Sequence, residues 1–181
     1  IYKKNPTVFQ AVNTNESTGE PEYPHVKDAI KELIYIRASA SLPFLSRMVE
    51  IGGELYLDGG VSDPVPLKKS IENGNRKNIL ILTRDEKYRK RQSKLGKISA
   101  VRYRKYPKFV ELMNTRYKRY NETLEYIYGL EKKGDIFIIQ PEKPLNLGRI
   151  EKNREKLEKV YMIGYKEAEK RYEGLIEYLN K

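Results

Sequence analysis

The stretch Met48-Val49-Glu50-Ile51-Gly52-Gly53-Glu54-Leu55-Tyr56-Leu57-Asp58-Gly59-Gly60-Val61 decides how the chain is read. Two short runs rich in β formers, residues 48–51 and 54–57, flank a pair of glycines. A two-glycine connection between such runs predicts a tight hairpin. Asp58-Gly59-Gly60 then breaks the second strand. Taken on spacing alone this triplet is a common turn. It also places a carboxylate at a strand end, where ligand sites of α/β proteins collect.

Outward from the hairpin, helix and strand signals alternate. Upstream, residues 26–40 carry Ala29, Ile30, Leu33, Ile34 and Ile36 at near-helical spacing, ended by Pro43. Residues 15–24 are turn-rich, and residues 7–14 read as a strand. Downstream, residues 66–72 predict a short helix closed by Asn73-Gly74. Asn-Ile-Leu-Ile-Leu-Thr at 78–83 reads as a strand buried on both faces, as in a helix-covered parallel sheet. Residues 107–132 predict a long helix with Pro107 in its first turn and a stripe of Phe109, Met113, Tyr117, Tyr120, Leu124 and Ile127. A buried strand is expected over 135–140. A final helix over 150–179 shows an apolar stripe from Leu157 through Tyr161, Tyr165 and Tyr172 to Leu179. The predicted class is α/β: a layered sheet with helices on both faces, plus a helix–strand–helix extension. Residues 1–83 are expected to form the core and residues 84–181 a basic extension.

Composition narrows the function classes. The 181 residues are 39% hydrophobic and 34% charged, enough for a core and more charged than the usual roughly 25%. No apolar run approaches the ~18 residues of a membrane span. Cysteine is absent and His25 is the single histidine, which excludes disulfides, thiolate nucleophiles and multi-histidine metal sites. No metal or organic cofactor is implied. The chain starts Ile1-Tyr2-Lys3-Lys4 without an apolar core segment, so it does not read as a signal peptide and is expected to be a trimmed chain.

The net charge of +11 is local. Residues 84–119 hold 14 Lys or Arg against Asp85, Glu86 and Glu111, and everything outside that stretch balances. Arg89, Lys90, Arg91, Arg102, Arg104 and Lys105 form the centre of this patch, interleaved with Tyr88, Tyr103 and Tyr106. Such a patch concentrates anions. A solvated surface with tyrosines packed inward is the plain reading. An anionic membrane surface is the favoured ligand, with nucleic acid behind it.

Among motifs, phosphate-binding glycine loops are absent. Asn15-Glu16-Ser17-Thr18-Gly19 is the nearest match to a Gly-x-Ser-x-Gly nucleophile elbow, but Glu20-Pro21-Glu22 cannot start the helix an elbow requires, so Ser17 reads as a turn residue. Ile36-Arg37-Ala38-Ser39-Ala40-Ser41-Leu42-Pro43-Phe44, followed by Leu55-Tyr56-Leu57-Asp58-Gly59-Gly60-Val61-Ser62-Asp63-Pro64, resembles the second half of a patatin-like phospholipase catalytic domain, and most closely its bacterial esterase branch. The resemblance is specific from about residue 9 to residue 83. Neither the serine elbow nor the family's glycine-rich oxyanion loop is present, so the chain resembles the family's C-terminal portion.

That resemblance implies a serine lipid acyl hydrolase with a Ser–Asp dyad. Asp58 would be the dyad base for a serine outside this sequence, with Gly59, Gly60, Ser39 and Arg37 supporting the site. The implied substrate is a lipid or acyl ester. The implied setting is cytoplasmic, peripheral at the inner membrane surface, with a homo-oligomer formed through an open sheet edge at residues 7–14. Asp63 reads as a loop or capping residue, Ser39 and Ser41 as helix-end caps, Arg37 as an ion-pair former, His25 as a surface residue and Asp135 as a turn. The alternative is a basic α/β module that binds an anionic membrane or nucleic acid without catalysis.

Overall fold

The computed structural model describes residues 6–28, 30–148 and 150–181. It is mixed α/β and divides into two compact units. One comprises the chain up to Pro66 together with Lys90–Glu122, the other Leu67–Arg89 with Thr123–Lys181.

The first unit holds a four-stranded sheet ordered β2-β1-β4-β3, from β1 (Asn13–Asn15), β2 (Pro21–Glu22), β3 (Val49–Ile51) and β4 (Glu54–Asp58). All three pairings are antiparallel. The expected hairpin is β3–β4. Gly52 and Gly53 have φ of 62° and 86°, left-handed values that a side chain at either position would oppose.

Alternation along β4 sends Tyr56 and Leu57 to opposite faces. Tyr56 packs with Ala38 of α1 (Leu33–Ser39) and Val49. Leu57 packs with Val61, Tyr103 and Phe109. Tyr103 follows α3 (Gly96–Arg102), and Phe109 lies in the first turns of α4 (Pro107–Lys133). Their rings meet edge-on at 5.0 Å. Helices thus cover both faces of this sheet, and burying one side chain of this size is worth about 1.5–3 kcal/mol.

Two expectations for this unit are corrected. The strand expected over 7–14 is only Asn13–Asn15, and it lies inside the sheet, hydrogen-bonded to β2 and β4 on its two sides, so it is not an open edge. The helix expected over 26–40 is confined to Leu33–Ser39. Glu32 Oε2 accepts from the backbone N–H of Lys27 and Asp28, while Asp28 Oδ1 accepts from Ile30 and Lys31. These local bonds hold the preceding residues in turns. Ala29, one apolar position of that pattern, lies outside the described residues, as do residues 1–5.

The second unit pairs β5 (Asn78–Ile81) with β6 (Ile136–Ile139) in parallel. It also contains α2 (Leu67–Glu72) and α5 (Arg154–Asn180). Tyr178 of α5 accepts from Asn78 N–H at 2.9 Å and donates to the Asp135 carbonyl at 3.0 Å. Asn153 caps α5 by accepting from Lys156 N–H. Gly134 ends the last turn of α4 with φ 76°.

One further expectation is corrected here. β5 is buried on one face only: Asn78 and Leu80 point in, whereas Ile79 is 43% and Ile81 77% exposed, because this sheet has two strands and one covered face among the described residues. The helix α5 forms, but of its apolar stripe only the end around Tyr178 is buried; Leu157, Tyr161, Tyr165 and Tyr172 remain exposed.

Glu16, directly after β1, is fully buried, and neither carboxyl oxygen has a hydrogen-bond partner among the described residues. Burial pushes its carboxyl from 4.5 up to about 8. The folded chain therefore holds the proton more tightly than the unfolded one. Its contribution to stability is complete below about pH 4.5, declines as pH rises towards about 8, and is constant above that. The expected slope in this window is up to about 1.4 kcal/mol per pH unit. Glu16→Gln keeps the shape and should abolish the slope in urea unfolding measured across the window. A slope that survives in the variant assigns it to another group.

Candidate active site

Asp58 is the last residue of β4 and caps a single 3₁₀ turn, Gly59–Val61. Its Oδ1 accepts from Gly60 N–H at 2.7 Å. The peptide around it is held from three directions: Asp58 N–H donates to the Ser41 carbonyl at 2.8 Å, Thr14 Oγ1 donates to the Asp58 carbonyl at 2.8 Å, and Asn13 pairs with it across the β1–β4 ladder. The carboxylate is half-buried. It is thus fixed in direction and still reachable.

Gly59 is demanded by a close approach. A Cβ there would sit 2.0 Å from the Val12 carbonyl oxygen, a backbone atom that no rotamer change can move. Gly60 is less confined; a Cβ would lie 3.1 Å from Asp58 Oδ1 and 3.6 Å from Arg116 Nη2. Arg116 of α4 donates Nε–H to the Gly60 carbonyl at 2.9 Å. The glycine turn is therefore pinned by Asp58 on its N–H and by Arg116 on its carbonyl. Sequence reading counted Arg116 only among the patch charges, since nothing local links it to residue 60.

The other candidates fall as follows. Ser39 ends α1 and is half-buried. The residue that touches the site is Ser41, through its carbonyl, while its Oγ donates to the Arg37 carbonyl at 2.7 Å. The Arg37 side chain is exposed in the last turn of α1. Asp63 Oδ2 accepts from Tyr23 OH at 2.7 Å, and Asp63 N–H donates to the Gly59 carbonyl, so this second carboxylate closes the loop after the 3₁₀ turn. Ser17 N–H donates to Asn15 Oδ1 within a turn, and His25 is exposed, bridged to Gln10.

The basic residues divide between the units. Arg89 belongs to the second unit, where it pairs with Glu125 at 2.6 Å and donates to the Glu86 carbonyl. Lys90, Arg91, Arg102, Arg104 and Lys105 belong to the first. There Lys90 Nζ lies 4.8 Å from the Tyr120 ring centroid, and Arg91, Arg102, Arg104 and Lys105 are exposed.

Comparison with known proteins matches an early and a late part of the chain. Residues 3–70 match the family model described as patatin-like phospholipase. Residues 106–180 match a domain of unknown function, DUF6363. A protein of Escherichia coli (strain K12), named "Uncharacterized protein YjjU", is 29% identical over 119 residues, covering 61% of this chain and 32% of that protein. The chain thus spans about a third of the length of the curated relative it matches. With the hairpin, the Asp58-Gly59-Gly60 turn and the helix-covered sheet in place, residues 3–70 are similar to the patatin-like phospholipase family.

Proposed function

We propose that this chain supplies the aspartate of a Ser–Asp dyad in a patatin-like acyl ester hydrolase, the serine coming from residues outside the sequence given. The observation that carries the proposal is the rigid presentation of Asp58: Oδ1 is occupied by Gly60 N–H at 2.7 Å, which leaves Oδ2 to receive a proton. In the first step the serine hydroxyl passes its proton to Asp58 Oδ2 as its oxygen bonds to the ester carbonyl carbon. The ester C–O bond then breaks, and the departing alkoxide takes that proton and leaves as the alcohol. In the second step water gives a proton to Asp58, its oxygen attacks the acyl-serine, and the serine oxygen is released and reprotonated. The family match of residues 3–70 supports a lipid or simple ester as substrate.

The test begins with this chain by itself. It should not hydrolyse p-nitrophenyl esters above background, because it offers a base without an activated nucleophile. Turnover by the purified chain that disappears on changing Ser17 or Ser39 overturns the assignment of roles. A longer form that carries a nucleophile serine should be active. Inactivity of that form on every ester tried favours a basic module that binds without catalysis.

A further inference from the structure

The geometry points to α3 as a docking ridge for an anionic lipid bilayer. This segment lies between the two family-model matches, which end at residue 70 and resume at residue 106. One face of α3 is committed to the first unit. Ser99 is 1% exposed, Tyr103 just beyond the helix is 2% exposed, and Gly96 lies so close to α4 that a Cβ would stand 2.9 Å from Asn114 Oδ1. Tyr103 is fixed further by accepting from Phe44 N–H at 2.9 Å. The helix cannot roll without breaking these contacts.

The opposite face carries Ile98 and Val101, which are 55% and 75% exposed, and Leu95 at the N-cap is 40% exposed. Ile98 and Val101 stand three residues apart, so they form one ridge. Around the ridge stand Lys94, Lys97, Arg102 and Arg104, all exposed. No acid occurs between Glu86 and Glu111. An apolar ridge inside an unbroken field of cations matches a surface that is anionic at its skin and apolar just beneath. That is the bilayer interface, where apolar side chains enter the acyl boundary and cations meet lipid phosphates. The long Lys and Arg stems reach sideways and keep their charged ends among the head groups. A nucleic acid would satisfy the charges and leave Ile98 and Val101 against water or phosphate. The exposed apolar pair within the cationic field commits the site to lipid.

Vesicle co-sedimentation of the whole chain tests this. Binding is expected to vesicles that contain phosphatidylglycerol and not to pure phosphatidylcholine, and it should weaken as salt is raised. Ile98→Ser with Val101→Ser should reduce it at least about ten-fold, since each side chain loses its apolar burial in the interface. Lys97→Gln or Arg102→Gln should cost about five-fold each. Circular dichroism should be unchanged in all three variants, since the altered side chains are exposed. Equal binding to both lipids, indifference to the Ile98/Val101 pair, or absence of binding overturns the inference. Tight binding to a single-stranded oligonucleotide that vesicles cannot displace does so too. Hydrolysis is not involved: Asp58→Asn should sediment like the unaltered chain, so failure of the dyad and failure of the ridge are read separately.

Discussion

Replacing Asp58 by Asn should lower ester hydrolysis by about 10²–10⁴-fold in the form of the protein that carries the nucleophile serine, the usual worth of a positioned general base. The amide oxygen can still accept from Gly60 N–H, which Asp58 Oδ1 now does at 2.7 Å, so the turn should keep its shape. The amide nitrogen in place of Oδ2 already bears its hydrogens and cannot take the serine proton. The loss should therefore fall on kcat with a thermal melt close to that of the unaltered protein. Asp63→Asn is the control. Its Oδ2 accepts from Tyr23 OH at 2.7 Å, a bond an amide oxygen can keep, so its activity should change little. Full activity in Asp58→Asn with none in Asp63→Asn means the base is the other carboxylate. Activity in both removes the dyad reading.

Gly59→Ala should be the most damaging single methyl group in the first unit. Its Cβ would be placed 2.0 Å from the Val12 carbonyl oxygen and 2.6 Å from Val12 Cβ. Relief requires β4 and the segment before β1 to separate, in a region where β1 and β4 are joined through three register pairs ending at Asn13 and Asp58. A cost of about 3 kcal/mol or more is expected, at the upper end for forcing extra volume into a packed site. For the 181-residue chain melting as a whole that corresponds to a fall in Tm of roughly 6–12 °C. Gly52→Ala provides the comparison. Open space surrounds its Cβ, and only the left-handed φ of 62° is penalised, at about 1–2 kcal/mol. The two melts together separate a steric requirement at residue 59 from a conformational one at residue 52. If Gly59→Ala melts no lower than Gly52→Ala, the close approach to Val12 does not hold in solution.

The elements that could be read from the chain are those whose cause is local. Gly52-Gly53 between two β-rich runs is a hairpin because positive φ is needed at two successive positions, and the flanking strands follow. Pro107 and Gly134 bracket α4 through one fixed φ and one left-handed φ, effects that extend a single turn. The strand end at Asp58 was legible for the same reason, since two glycines after an apolar run stop a ladder. What local pattern could not show was which faces would be covered. The run at 78–81 is apolar throughout, yet only Asn78 and Leu80 turn inward, because burial depends on what packs against the sheet and not on the strand. The stripe along α5 likewise predicts a helix without supplying its cover. Three site features came from tertiary structure alone. Gly59 is required by Val12, Arg116 reaches the Gly60 carbonyl from 56 residues away, and Glu16 loses water and hydrogen-bond partners only on burial in the folded chain. Each depends on two distant segments arriving at one place, and such an approach leaves no period, cap or turn residue in the sequence to announce it.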